Sequence, residues 1–241
     1  MRILLFLGVF CFFHTHAQIR YYGTQEYAEF LKSSGKLTLA DQDLIVYREI
    51  QKPVILSLTF ILRSKEVTEA QLSHQIAVLN EDFGNITFER SDNKSEIYHS
   101  YAVDTDIRFC TSFEKFEDYT SDTMHFEQAE EYVRTFKLGR RESIPVVICE
   151  LEKVAGFVHP PGYVVENDVI FLDKDFIAGA STEGFGLGKT LTHLLGTYLG
   201  LGEMWDCKDD GIPDTPLMSA QHFEQTGGWS SCYSYVMNTM P

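Results

Sequence analysis

The chain has 241 residues, of which 44% are hydrophobic, and its formal net charge is −15 at pH 7. This length and composition predict a folded protein with one large domain or two small ones. The negative charge argues against nucleic acid or an anionic membrane surface as a partner, because like charges repel.

The first 17 residues have the features of a secretory signal peptide. Arg2 supplies a positive start, residues 3–13 are almost continuously apolar, and Ala17 is a small residue before a cleavage site at Gln18. The apolar run is too short to span a bilayer, and no later segment of the sequence is long enough either. We therefore expect a secreted or periplasmic protein without a membrane span.

Hydrophobic patterns and breaker residues predict a succession of strands and helices. In chain order they are a short helix at 24–34, strands at 53–62 and 106–112, strands at 145–151 and 167–173, and a helix at 188–200. The segment 155–162 predicts an edge strand that ends at its prolines. Residues 201–241 are rich in turn-forming residues and predict irregular structure.

The clearest predicted helix covers residues 67–84. Thr68 and Gln71 have the spacing of a capping box, and Gly84 is a helix terminator. Between them runs one apolar stripe, made of Leu72, Ile76, Leu79 and Phe83. One sheet with two long helices indicates a single α+β domain.

Four cysteines follow the predicted cleavage site, and an even number in an exported chain makes disulfides plausible. Cys110 and Cys149 lie in predicted strands, where they either pair or remain as two buried thiols. Cys207 and Cys232 flank a segment rich in Gly, Pro and Asp, which a bridge would stabilise.

The stretch THLLGTYLGLGEM, residues 192–204, has the glycines and leucines of a zinc-protease helix but only one histidine. Metzincin proteases carry the pattern H-E-x-x-H-x-x-G-x-x-H. Two histidines one helical turn apart bind the same zinc ion, and the glutamate polarises the zinc-bound water. A glycine then turns the chain so that a third ligand returns from outside the helix.

Set against that pattern, the chain retains the first ligand and the turning glycine, as His193 and Gly200. Leu194 stands at the position of the catalytic glutamate, Thr197 at the second ligand and Glu203 at the third. Leucine cannot accept or deliver a proton, so water attack lacks its general base. We expect that the polar floor of an active site has become hydrophobic packing.

The surroundings of this helix resemble the pappalysin family of metzincin metalloproteases. The stretches GKTLTHLLGTYLGLGEMWDC, DDGIPDTP and CYSYVMN follow the family order of histidine helix, cysteine, D-G-x-x-D-T-P loop, second cysteine and methionine turn. Met237 falls at that turn, and Asn238 stands where an aspartate often follows. Upstream, QLSHQIAVLNEDFGN, DTDIRFC and DVIFLD resemble the first long helix, the strand after it and the strand before the histidine helix.

The resemblance implies a metzincin-like metalloprotease fold, with a twisted mixed β-sheet, two long helices and an irregular C-terminal part. It covers a protease-like domain at 52–241, which leaves an N-terminal extension at 18–51 after the signal peptide predicted at 1–17. Relatives usually continue into another helix after the methionine turn. Four residues follow Met237 here, which indicates a short C-terminal part.

The sequence offers two candidate metal sites, one at the helix motif and one in the acidic loop, and each has two possible interpretations. His193 and Glu203 are the candidate zinc ligands, but two protein ligands hold zinc far more weakly than three or four, so we do not expect a firm zinc site. An unorthodox set that adds Asp206 or His222 is the alternative, although no spacing rule supports it. The acidic loop is either a solvated turn or a calcium site with the candidate ligands Asp206, Asp209, Asp210 and Asp214.

These observations predict an exported, catalytically inactive homologue of the pappalysins that binds a peptide or protein. Active relatives hold extended peptides against an edge strand, and such main-chain pairing needs no zinc. The segment 155–162 is the candidate for that edge. The alternatives are a weak metal-dependent endopeptidase with an unorthodox metal site, and an interaction domain whose surface lies away from the cleft.

A bridge between Cys207 and Cys232 is the first testable prediction. It should contribute about 2–4 kcal/mol to the free energy of unfolding, mainly by restricting the unfolded chain. Peptide mapping without reduction should recover the two cysteines in one linked fragment. Alkylation of both thiols in the native protein would contradict the pairing.

Overall fold

The structure is a computed structural model, and it describes ten segments of the chain. These are residues 21–35, 38–39, 53–86, 103–111, 116–117, 123–136, 142–159, 163–164, 168–180 and 186–202. The predicted signal peptide and all residues from 203 onward lie outside these segments.

The strands of the described segments are numbered here in chain order. They are β1 Tyr21–Tyr22, β2 Thr38–Leu39, β3 Val54–Leu62, β4 Ile107–Thr111, β5 Phe116–Glu117, β6 Ile144–Cys149, β7 Val154–Phe157, β8 Tyr163–Val164 and β9 Ile170–Asp173. The predicted strands at 53–62, 106–112, 145–151 and 167–173 correspond to β3, β4, β6 and β9.

One mixed sheet has the strand order β1-β7-β9-β6-β3-β4, with β5 also paired to β3. Strands β3, β4, β5, β6 and β9 run parallel, whereas β7 is antiparallel to β9. β2 and β8 form a separate antiparallel pair. β6 and β9 are buried along their whole length, because both faces of these parallel strands are covered, and their residues are apolar except for the buried Asp173 at the end of β9.

Four α-helices lie in the described segments. They are α1 Thr24–Ser33, α2 Glu69–Phe83, α3 Phe126–Phe136 and α4 Lys189–Tyr198, and a short 3₁₀ helix spans Lys174–Phe176. The predicted capping box is present: Thr68 Oγ1 accepts from the Gln71 amide at 3.3 Å, and Gln71 Oε1 accepts from the Thr68 amide at 2.9 Å. Helices α1, α2 and α4 correspond to the predicted helices at 24–34, 67–84 and 188–200, so these three predictions are confirmed.

Helix α3 was not predicted from the sequence. Its buried residues Ala129, Tyr132 and Val133 have helical spacing, but glutamates separate them and obscure the pattern. Gln128 Oε1 accepts from the His125 amide at 2.9 Å, which satisfies a backbone donor at the start of the helix. A helix over these residues changes the expected two-helix architecture, since α3 lies on the sheet face opposite α2 and α4.

The sheet has a separate hydrophobic core on each face. Helices α2 and α4 pack over one core, which includes Leu79, Leu191, Leu194, Phe60, Ile148 and Leu172. Helices α1 and α3 pack over the other, which includes Tyr27, Leu31, Ala129, Val133, Val147 and Phe171. No helix in the described segments has the length and apolar character needed to cross a membrane.

Cys110 and Cys149 are free thiols, so the hypothesis that they pair is wrong. They lie on β4 and β6, and β3 separates these two strands in the sheet. The alternative of two buried thiols holds for Cys149, whose Sγ lies 4.0 Å from Met124 Sδ, but is wrong for Cys110, which is exposed. Burial raises the pKa of Cys149 to about 12, so its thiol stays protonated at neutral pH.

The predicted edge strand at 155–162 is the second correction. The observed strand is β7, and it lies between β9 on one side and β1 on the other. Tyr21 and Tyr22 pair with Val154 and Gly156, and the Gly23 amide donates to the Gly156 carbonyl oxygen at 2.8 Å. The N-terminal segment therefore occupies the side of β7 that the sequence analysis assigned to a peptide ligand.

Tyr27 anchors this N-terminal segment to the sheet. Its ring packs against Phe157 with the centroids 4.6 Å apart, and its hydroxyl donates to the Glu130 carboxylate on α3. The same hydroxyl lies 3.4 Å from His159 Nε2, just beyond β7. Burial, followed by the charge of Glu130, raises the pKa of Tyr27, so the phenol remains neutral and keeps its donor.

Gln75 provides a test of how α2 holds α4. The side chain is fully buried, Nε2 donates to the Gly188 carbonyl oxygen at 2.9 Å, and Oε1 accepts from the Ala178 amide at 2.9 Å. Gln75→Leu should lower the free energy of unfolding by roughly 1–3 kcal/mol for each backbone group that loses its partner. Ser73→Leu, at an exposed site on the same helix, is the matched control. Equal urea midpoints for the two variants would contradict this role.

Candidate active site

Helix α4 carries the residues that the sequence analysis assigned to the active site. It packs against β7 and β9 on the face of the sheet that it shares with α2. Asp82 of α2 accepts a hydrogen bond from Thr192 Oγ1 at 2.6 Å and pairs with the Lys189 ammonium. Together with Gln75, this carboxylate sets the position and rotation of the first turns of α4.

Leu194, at the position expected for the catalytic glutamate, is fully buried. A Cβ atom built at Gly156 of β7 would lie 2.6 Å from Leu194 Cδ1 and 2.7 Å from the Phe171 carbonyl oxygen. The leucine side chain therefore occupies space that exists only because residue 156 has no side chain. A carboxylate in this place would have apolar surroundings, with a large cost if it stayed ionised.

Thr197, at the position of the second zinc ligand, is also buried, with 3% of its surface exposed. Its Oγ1 donates to the His193 carbonyl oxygen at 3.4 Å, one helical turn earlier. This bond is typical of a threonine inside a helix, where the hydroxyl returns to its own backbone. Thr197 thus serves as a packing residue with an internally satisfied hydroxyl.

His193 differs from both neighbours in the motif because it is only partly buried. It is the one imidazole among the described positions of the motif, since Leu194 stands at the position of the catalytic glutamate and Thr197 at that of the second histidine. Gly200 has φ +106°, and the Leu201 amide donates to the Gly196 carbonyl oxygen at 3.0 Å. The predicted turn after the helix is therefore present, at a glycine that can adopt this conformation.

The remaining candidate ligands lie outside the described residues. They are Glu203, Asp206, Asp209, Asp210, Asp214 and His222, together with Cys207, Cys232 and the methionine-turn residue Met237. Within the described segments, no group of three or more His, Cys, Asp or Glu side chains could hold a metal ion. The described donor set, one imidazole beside a buried leucine and a buried threonine, does not fit a three-ligand zinc site.

Tyr198 lies at the end of α4. Burial, followed by the nearby charge of Asp168, raises the pKa of Tyr198 to about 12. The phenol is therefore neutral over the physiological range. It cannot replace the missing glutamate as a general base at neutral pH.

Gly156 is the residue of the site that the sequence analysis missed. It lies inside the segment AGFVHPPG, which predicts a strand, and a glycine within a strand often marks a close approach by another part of the chain. That signal indicates a contact but does not identify its partner. Only the structure shows that the approaching group is the Leu194 side chain.

The sequence matches no protein-family profile and no curated protein. Solved structures do match the fold. A promirolysin variant from Tannerella forsythia aligns with a TM-score of 0.62 and 18% identity, over 82% of this chain and 76% of that one. Mirolysin in complex with a small compound aligns with a TM-score of 0.58 and 20% identity, over 69% and 72% of the two chains.

Both proteins are metzincin-type metalloproteases, so the chain has a metzincin-like metalloprotease fold. The expected fold class is confirmed, including the mixed sheet. At 18–20% identity the likeness extends to the fold alone. Membership of the pappalysin family and the loss of activity remain proposals.

Leu194 can be tested by truncation. Leu194→Ala should lower the free energy of unfolding by about 2–5 kcal/mol, because it removes a buried side chain and leaves a cavity beside Gly156. Leu187→Ala is the matched control, since Leu187 lies just before α4 with 65% of its surface exposed, and it should cost less than about 0.5 kcal/mol.

Chemical denaturation of Leu194→Ala and Leu187→Ala measures both changes in the free energy of unfolding. Leu194→Glu should cost at least as much as Leu194→Ala, because the carboxylate has no partner among its apolar neighbours. Small, similar effects at residues 187 and 194 would show that the position is open to water.

Proposed function

We propose that this protein is an exported, non-hydrolytic homologue of the pappalysin metalloproteases that acts by binding a peptide or protein. The observation that carries the proposal is the burial of Leu194 against Gly156, at the place where a metzincin protease needs its glutamate. The fold similarity supports the protease-like scaffold, and the side chains of α4 argue against hydrolysis.

The chemistry supports the loss of hydrolysis in two steps. First, peptide hydrolysis by a metzincin needs a base beside the metal-bound water, and the side chain of leucine has no group that can transfer a proton. Second, the hydroxyl of Thr197 is buried and bonded to the helix backbone, so it does not replace an imidazole ligand. A single substitution therefore does not restore the site.

Binding is proposed because the protease-like scaffold is retained where the catalytic residues are not. The free side of β7 that the sequence predicts as the peptide-binding surface is already occupied, since β1 pairs with β7. An extended peptide that pairs with β7 has to displace Tyr21 and Tyr22, or else add to the outer side of β1. The described part of β1 is two residues long, so a peptide that displaces it replaces few backbone hydrogen bonds of that part, although the buried Tyr27 ring also holds the segment.

A weak metal-dependent endopeptidase is the second candidate function. The observation in its favour is the partial exposure of His193, which keeps one imidazole near solvent. Glu203 and either Asp206 or His222 would complete its unorthodox metal set. Under both functions, Cys207 and Cys232 are proposed to close the acidic loop, in which Asp209, Asp210 and Asp214 are proposed calcium ligands together with Asp206.

The proposal predicts no zinc-dependent peptidase activity. Purified protein beginning at Gln18 should leave mixed fluorogenic peptides intact, with zinc and calcium added singly or together. Leu194→Glu alone should also be inactive, because the metal still lacks ligands.

His193→Ala is the control that separates the two candidate functions. It should behave as the unaltered protein does in the same assay. Peptide cleavage that a chelator stops, and that His193→Ala abolishes, would establish the endopeptidase and overturn the proposal.

A further inference from the structure

The segment of residues 21–33, which contains β1 and α1, packs on β7 in the way a bound peptide does. Its first part pairs in parallel with Val154 and Gly156, and the Gly23 amide donates to the Gly156 carbonyl oxygen at 2.8 Å. Its second part is helical and buries Thr24, Tyr27, Ala28 and Leu31. Strand addition and the docking of an amphipathic helix are two common modes of peptide recognition, and the segment combines them.

Val154 restricts which residue can occupy position 23 of this segment. A Cβ atom built at Gly23 would lie 2.7 Å from Val154 Cγ1 and 3.0 Å from Val154 Cβ, which is closer than such atoms approach in folded proteins. Val154 is buried, and a β-branched side chain has little freedom to rotate away in a packed core. The surface therefore selects a segment with a glycine at this point.

A second requirement comes from the place that Tyr27 fills. Its ring centroid lies 4.6 Å from that of Phe157 and 5.3 Å from that of Phe126, and its hydroxyl donates to the Glu130 carboxylate. This environment suits an aromatic ring with a donor at its tip, which is the description of tyrosine. Because α1 begins directly after Gly23, the tyrosine follows the glycine by four residues.

The strand at the other end of the sheet, β4, is less suited to pair with an added peptide. Asn80 Nδ2 donates to the Phe109 carbonyl oxygen at 2.9 Å, and the Phe109 amide donates to Asn80 Oδ1 at 2.8 Å. Phe109 lies in the middle of β4, so the α2 side chain already takes both of its backbone groups. A peptide added there would have to break these bonds, whereas at β7 it would replace one segment with another of the same kind.

We propose that residues 21–33 are an internal ligand, and that their release exposes a surface for a peptide of the same pattern. The pattern is a short extended stretch, a glycine, a tyrosine four residues later and a leucine four residues after that, as in Gly23, Tyr27 and Leu31. The proposal rests on the binding function proposed above and specifies the class of peptide. In the intact chain the internal ligand competes at high effective concentration, so an external peptide binds weakly.

Gly23→Val in the protein beginning at Gln18 tests the proposal, because the added side chain should push the segment away from Val154. The probe is a synthetic peptide of residues 18–35. It should bind the Gly23→Val chain saturably and at least about tenfold more tightly than the unaltered chain. In a ¹H–¹⁵N spectrum it should shift amide signals of β7 and α3. Ser33→Val, at an exposed position of α1, is the matched control and should bind the probe as weakly as the unaltered chain does.

Variants of the probe test the pattern itself. A peptide with Gly23→Val or Tyr27→Ala should bind the opened chain at least about tenfold more weakly than the unaltered peptide. A peptide with Ser33→Ala should bind within about twofold, because this side chain is exposed in the structure. If the Gly23→Val chain does not fold, the same peptides are titrated into the Gly23→Ala chain.

Urea unfolding tests the contact between Gly23 and Val154 without any peptide. Gly23→Ala should lower the urea midpoint by roughly 0.5 M or more, because its methyl group collides with Val154. In a Val154→Ala background the same change should lower the midpoint by less than half as much. Loss of the glycine at the start of α1 affects both backgrounds, so the difference between them measures the contact alone.

Three results would overturn the proposal. They are the absence of saturable probe binding to the opened chain, equal affinity for the Gly23→Val and unaltered peptides, and an equal effect of Gly23→Ala in the two backgrounds. Probe binding that shifts signals of β4 instead of β7 would also overturn it. The peptidase assay reads the loss of hydrolysis separately, so failure of the internal ligand can be distinguished from failure of the proposed function.

Discussion

The contact between Leu194 and Gly156 governs the character of the site on this scaffold. A leucine fits at that point of α4 because the neighbouring strand carries no side chain there, and the Cδ1 atom would collide with any Cβ at residue 156. The contact joins α4 to β7 through apolar burial, where a protease would require a hydrated carboxylate beside a metal. The interface between these two elements therefore has the composition of a hydrophobic core, at the place where the sequence motif predicts a metzincin-like site.

Polar contacts from α2 hold the first turn of α4 in its position against the sheet. The buried amide of Gln75 bonds to the backbone of Ala178, after the 3₁₀ helix, and of Gly188, just before α4. Asp82 binds Thr192 and Lys189 in the first turn of α4. The two bonds of Gln75 are costly to lose because this side chain and its backbone partners are buried. They explain how the helix keeps its position although no metal site among the described residues holds it. The scaffold depends on α2 and β7 for this purpose.

Local sequence signals predicted a helix or strand correctly where residues within that element determine its structure. The capping box of Thr68 and Gln71 located the start of α2, and short runs rich in apolar and β-branched residues located β3, β6 and β9. Helix α3 was missed because Glu130 and Glu131 lie between its buried residues Ala129 and Tyr132. Its apolar pattern becomes visible only when the opposite sheet face is known to need a cover. The pairing of β1 with β7 and the contact of Gly156 with Leu194 join residues far apart in the chain. No spacing rule within one segment can identify such partners.

The central claim is that apolar packing between α4 and β7 stands in place of a metal site. The most direct test of this claim is a measurement of zinc affinity. Zinc should be titrated into metal-free protein beginning at Gln18 and into its His193→Ala variant, with bound metal measured calorimetrically and by elemental analysis. The account predicts that neither protein has a tight zinc site and that the two titrations coincide, because Leu194 and Thr197 leave His193 without neighbouring ligands on α4. One zinc ion bound tightly per chain, and lost on substitution of His193, would contradict it.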